Sequence, residues 1–109
     1  MAIHNSVIVD QGQPAGVIYA ATGAIRGNAI TTMYFCNRDS SSRTFNLYVV
    51  PAGFEANSNN IVYYNKSITS GDTYIVDWEK LVLETGATIR ANASAGNAIV
   101  ATISSIGVS

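Results

Sequence analysis

Hydrophobic and polar positions alternate with a period of two along much of this chain, most clearly across residues 81–106. Ile89, Ala91 and Ala93 fall on one face and Thr88, Arg90 and Asn92 on the other. Further on, Ile99, Ala101 and Ile103 stand opposite Val100, Thr102 and Ser104. Successive side chains of a strand point to opposite faces of its sheet, so each run predicts a half-buried strand. Ser94, Ala95, Gly96 and Asn97 lie between the runs, and the spacing predicts an antiparallel hairpin whose turn uses glycine at positive φ. Two strands with one apolar face need a second layer over it. The remainder of the chain is expected to supply another sheet.

Earlier residues repeat the theme in shorter runs. Residues 6–10 form a β-rich run that ends in Gln11, Gly12, Gln13 and Pro14, which predicts a terminal arm or edge strand over 1–15 and a sandwich domain over 16–109. Residues 16–22 are the next apolar run, and 29–37 (AITTMYFCN) read as a central strand because of their β-branched and aromatic content. The polar stretch 38–43 (RDSSSR) predicts a hairpin tip, since Asp and Ser bond locally to backbone. In 44–50, Phe45, Leu47 and Val49 share a face, and Pro51 ends the strand because it lacks an N–H. Residues 52–60 have no periodicity and predict a connection crossing between sheets, with Phe54 pinned to the core. Strands are expected over 61–68, 73–77 and 81–83, with a turn at 69–72 and a polar corner at 78–80. Helix is limited to about two turns over 78–84. The sum is about eight or nine short strands, an all-β sandwich or barrel.

Composition narrows the function classes. One domain accommodates 109 residues. Hydrophobic residues make up 48% and charged residues 12%, about half the usual charged share. A surface so poor in charge suits packing against other protein subunits. Six Lys and Arg against seven Asp and Glu give a formal net charge of -1, which offers no footprint for a nucleic-acid backbone. Cys36 is the sole cysteine, which excludes an internal disulfide or a thiolate metal site, and its aromatic neighbours predict a buried strand position. No basic and apolar leader and no membrane-length apolar run are seen, so assembly in a cytoplasm is expected, with no membrane partner.

Several pieces, in order, carry a resemblance: VIYAATGAIRGNAITTMYFCN (17–37), NLYVVPAGFEANSNNIVYYNKSI (46–68), the SGDT turn (70–73) and LVLETGATIRANASAGNAIVATISS (81–105). This layout resembles small β-sandwich virion structural proteins of tailed bacteriophages, of the capsid decoration, cement or tail-accessory type. The Cys-Asn pair, the Val-Pro-Ala-Gly turn and the Leu-x-Leu-x-x-Gly-x-x-Ile-Arg run are its most specific parts. The chain departs from the pattern at Thr22, Gly23 and Ala24, where the family carries proline. The resemblance implies a single antiparallel, jelly-roll-like β-sandwich located in the virion, a non-enzymatic structural role, and no cofactor. It implies the major capsid protein or tail structural proteins as partners, and a homo-oligomer, with a trimer among the forms it allows.

Candidate chemistry is sparse. His4, the only histidine, lies at the N-terminus, a poor place for a preorganised base. Asp72, Asp77, Glu79 and Glu84 form the one acidic cluster, which reads as turn caps and solvated charges, without calcium-loop spacing. No catalytic or metal-ligating residue is assigned. Tyr63, Tyr64, Tyr74 and Trp78 are the stronger signal. Adjacent Tyr63 and Tyr64 must point to opposite faces, and an exposed tyrosine with Trp78 suits an interface anchor or a platform for a sugar ring, while Trp78 can equally plug the sandwich end. Phe54 and the arm residues Val7, Ile8 and Val9 complete the candidate interface. The leading expectation is a capsid decoration protein stabilising the head through subunit contacts. The alternative is a tail, neck or fibre component with receptor or glycan binding.

Overall fold

The computed structural model describes residues 2–12, 15–21, 28–77 and 81–107, and every regular element among them is a strand. They are β1 (Ala2–Val7), β2 (Gly16–Ala20), β3 (Asn28–Asn37), β4 (Arg43–Val50), β5 (Ile61–Ile68), β6 (Thr73–Val76), β7 (Leu81–Leu83), β8 (Thr88–Ala93) and β9 (Ile99–Gly107). Two antiparallel sheets result, one ordered β1-β9-β3-β6 and the other β2-β8-β4-β5. β7 also pairs with β3, against Asn28, Ala29 and Ile30, whereas β6 takes the stretch from Met33 to Cys36. β6 and β7 are thus two halves of one edge, separated by residues 77–80. The pairings are nested: β4 with β5, then β3 with β6 and β7, then β2 with β8, then β1 with β9.

The inward faces follow the alternation read from the sequence. Ile99, Ala101 and Ile103 of β9 meet Met33 and Phe35 of β3, and across the sandwich lie Phe45 and Leu47 of β4 with Ile89, Ala91 and Ala93 of β8. Phe35 and Phe45 stack across the two sheets, ring centroids 4.7 Å apart. Burial of such side chains contributes about 1.5–3 kcal/mol each, the main favourable term holding the layers together.

The connections differ from the sequence reading, and for one physical reason. Residues 94–97 do not close a hairpin, because β8 and β9 belong to different sheets. They form an arch that places two apolar faces opposite each other across the core. Alternation about a polar turn is common to both geometries. Within this arch Asn97, not Gly96, takes positive φ, at 63°. Gly96 is needed for closeness instead: a Cβ there would sit 3.0 Å from the carbonyl oxygen of Val9. Residues 38–42 are likewise an arch between β3 and β4 and not a hairpin tip. The stretch 52–60, expected to cross, instead stays within one sheet and joins β4 to β5. The helical turns considered for 78–84 give way to strand β7 at Leu81–Leu83, and 78–80 lie outside the described residues.

The arches β1→β2, β3→β4, β5→β6 and β8→β9 gather at one end, where Asn37 joins two of them. Its side chain is fully buried. Nδ2 donates to the Ser41 carbonyl at 2.9 Å and to the Ile68 carbonyl at 2.8 Å, and Oδ1 accepts from the Asp39 N–H at 2.9 Å. Its backbone N–H donates to Asp72 and its carbonyl accepts from Gly71, both at 3.0 Å. Arg38 extends the tie to the last arch, donating from its backbone to Ala98 and from Nε to Asn97, each at 2.9 Å. A buried polar group left unpaired costs the folded state about 1–3 kcal/mol. Asn37→Ala strands the buried Ile68 carbonyl and removes the part-buried bonds to the Ser41 carbonyl and the Asp39 N–H, and is expected to lower stability by about 2–3 kcal/mol, read as a shifted urea midpoint with an unchanged slope.

Candidate functional site

Paired residues of neighbouring antiparallel strands place their side chains on the same face, so the register lays out the outer surface of the β1-β9-β3-β6 sheet. One row across the strands holds Val7, Val100, Cys36 and Thr73. The next holds Asn5, Thr102, Tyr34 and Ile75, and a third holds Ile3, Ser104 and Thr32. Ile106, Ala29 and Val82 form the last. None of these side chains is charged. Ile3 is 69% exposed, Ile75 56% and Val82 52%, and Tyr34 and Ile106 are also exposed. Strand spacing gives the face roughly 400 Å², over which the apolar side chains are interleaved with the neutral polar Asn5, Thr32, Thr73, Thr102 and Ser104. The sequence reading missed this face. Its signal was present at the outward positions of β3, β6, β7 and β9, which carry Thr, Ser, Val, Ile and Tyr where a solvated sheet would carry Lys and Glu.

The opposite sheet is covered differently. Tyr48 and Val50 point away from the main core, yet they are buried with Ala15 under Ala56 and Ile61 of the 51–60 connection. Alongside them runs an amide relay: Asn46 Oδ1 accepts from the Asn65 N–H at 2.7 Å, Asn46 Nδ2 donates to Asn92 Oδ1 at 2.7 Å, and Asn92 Nδ2 donates to the Gly12 carbonyl at 3.1 Å. Arg90 adds a charge to this side. The two outer faces are therefore chemically distinct.

The aromatic candidates separate. Tyr63 and Tyr74 lie edge to face at 5.7 Å and extend the core stack toward the β5/β6 edge, where Lys66 Nζ lies 4.5 Å from the Tyr74 ring centroid. Tyr64 points the other way and is 75% exposed. Trp78 lies outside the described residues. Phe54, expected to pin its loop to the core, is instead exposed, and Ala56 and Ile61 perform the pinning. Val7 is half-buried and Val9 exposed, while Ile8 is buried in the core.

Among the described residues the acid and base candidates do not converge. His4 rests edge-on against Tyr19 at 5.8 Å. Asp72 and Asp77 are exposed, Glu79 lies outside the described residues, and the exposed Glu84 accepts from the Ala52 N–H at 3.4 Å. Among the described residues no three His, Cys, Asp or Glu side chains are grouped as a metal site. Cys36, expected to be buried, is half-exposed on the uncharged face. Among the described residues Asp39 is held below its ordinary 3.8, first by the backbone N–H of Ser40 and then by the Arg43 guanidinium. Its contribution to folding is present above that ordinary value and is lost as pH falls through the lower folded value.

Phe54→Ala is expected to change stability by less than about 0.5 kcal/mol, as at an exposed site. Val50→Ala, which opens a cavity under the same loop, is expected to cost about 2 kcal/mol. Urea unfolding of the two variants checks this division of labour.

No family model, no curated protein and no solved structure matches this chain.

Proposed function

We propose that this chain is a structural protein of a bacteriophage virion, a decoration or cement protein that attaches to the capsid through the uncharged outer face of the β1-β9-β3-β6 sheet. That face carries the reading. About a quarter to a third of the residues on a well-solvated surface are charged, and none of the outward residues paired across these strands is. Packing it against a neighbour removes apolar area from water without desolvating any ion. A face of roughly 400 Å² falls short of the ~800 Å² per partner of a stable pairwise complex. A single contact is then weak, and a symmetric shell that repeats it supplies the missing strength.

The fold reading that accompanies this role is a jelly roll. With β6 and β7 counted as one interrupted strand, the nested pairings describe a long antiparallel hairpin folded over into two sheets. The sequence resemblance to small virion proteins of tailed phages points in the same direction. Its partners are the major capsid protein and other copies of the chain, and the particle is its location. A tail, neck or fibre position uses the same face, and the site of labelling on the particle distinguishes it.

Cys36 reports on this face directly, because it is the sole cysteine and stands in the row with Val7, Val100 and Thr73. A maleimide reagent is expected to modify Cys36 readily in the free protein and at least about tenfold more slowly on the particle, as a largely occupied interface requires. Ile75→Lys is expected to abolish attachment while changing stability by less than about 0.5 kcal/mol. Equal reactivity of Cys36 free and bound, with normal attachment of Ile75→Lys, removes this face from the proposal.

A further inference from the structure

The 51–60 connection is built more rigidly than a link between β4 and β5 requires. The Phe54 N–H donates to the Pro51 carbonyl at 3.1 Å, and Gly53 at φ 81° supplies the left-handed third position of a type II turn, which turns Phe54 outward. Asn57 and Asn60 then lock each other. The Asn57 N–H donates to Asn60 Oδ1 at 3.0 Å, and the Asn60 N–H donates to the Asn57 carbonyl at 3.2 Å. Both side-chain amides donate to the Glu55 carbonyl, at 3.1 Å and 2.9 Å, and Asn57 Oδ1 accepts from the Asn59 N–H at 2.8 Å. The Asn60 carbonyl accepts from the Val49 N–H at 3.0 Å, which fixes the assembly to the sheet.

These residues enclose an open depression of about 290 Å³, lined by Pro51, Phe54, Asn57, Asn59 and Asn60. Phe54 is 63% exposed at its margin. The Asn59 side chain makes no hydrogen bond among the described residues. Both residues serve the turn through their backbone N–H groups, while the Phe54 ring is exposed and the Asn59 side chain bonds to none of the described residues. A rigid frame that presents one unburied ring and one unpaired amide is already ordered for binding, and a ligand meets little ordering cost there.

We propose that this depression binds a neutral sugar, with the C–H face of a pyranose on Phe54 and its hydroxyls on the Asn59 amide and its neighbours. The chemistry matches on three counts. An amide both donates and accepts, as a ring of hydroxyls requires. No charged side chain lines the depression, so an anionic or cationic ligand finds no counter-charge. The volume lies at the lower limit of small-molecule sites, about 300 Å³, which suits one or two sugar rings. An apolar side chain from a protein partner fits less well, because it covers the amides without pairing them.

The sugar titration uses the purified 109-residue chain and needs no particle. ¹⁵N-labelled protein is titrated by NMR with glucose, galactose, mannose, N-acetylglucosamine and their disaccharides. At least one is expected to produce saturable shifts confined to residues around Phe54 and Asn59. Phe54→Ala is expected to weaken that binding by about tenfold or more. Asn59→Ala is expected to weaken it too, and Tyr64→Ala, on another part of the surface, to leave it unchanged. Absence of saturable shifts in the loop for every sugar, or full affinity in Phe54→Ala, overturns the assignment. A wild-type chain that gives no saturable shift with any sugar, together with poor particle attachment of Phe54→Ala, marks the loop as a protein contact and also overturns it.

Discussion

Asn37 is the point on which the two-sheet arrangement depends. A chain that leaves one sheet for the other at most of its connections must pass polar backbone over the ends of an apolar core. Each crossing risks burying N–H and C=O groups without partners. At the end where four arches meet, one fully buried amide pairs with backbone on both sides of its own strand end. Its main chain binds the β5→β6 arch and its side chain the β3→β4 arch. Serine has too few donors for this position, and aspartate would set a carboxylate against two carbonyl oxygens.

With the arches fixed, the inward faces need only fill space. They do so with aliphatic side chains around the stacked pair Phe35 and Phe45, one from each sheet. The outer faces are then free to differ. One is roofed by the 51–60 connection over Tyr48 and Val50, and the other stays open, uncharged and rich in β-branched side chains. That asymmetry underlies the proposed attachment role. The same roof holds Phe54 and Asn59 in place over the sheet it covers, so the sugar site and the docking face lie on different sides of the molecule.

The sequence made the strands legible and left the connections ambiguous. Alternation identified Ile89, Ala91 and Ala93, and Phe45 and Leu47, as inward residues, because burial of one face is a local property of a strand. Which sheet a strand joins is decided by partners far along the chain. Residues 94–97 therefore read as a hairpin turn although β8 and β9 pair with other strands. The mutual lock of Asn57 and Asn60 was not legible, since side-chain-to-backbone bonds have no periodic signature. Phe54 was assigned to the core by its hydrophobicity alone, and Gly53, which turns it outward, was the local clue. Cys36 followed the same logic: a small apolar residue in a central strand, placed on the open face by its parity with Tyr34.

The central claim is that the uncharged face of the β1-β9-β3-β6 sheet is a subunit contact. The most direct measurement is a cryo-electron microscopy reconstruction of intact particles carrying this chain, at a resolution that separates the two sheets. The account predicts density for the sandwich with β3 and β9 turned toward the shell or a neighbouring copy, and the 51–60 connection turned away from that contact. Density in which that sheet faces open solvent, with the particle held through the opposite side, contradicts it.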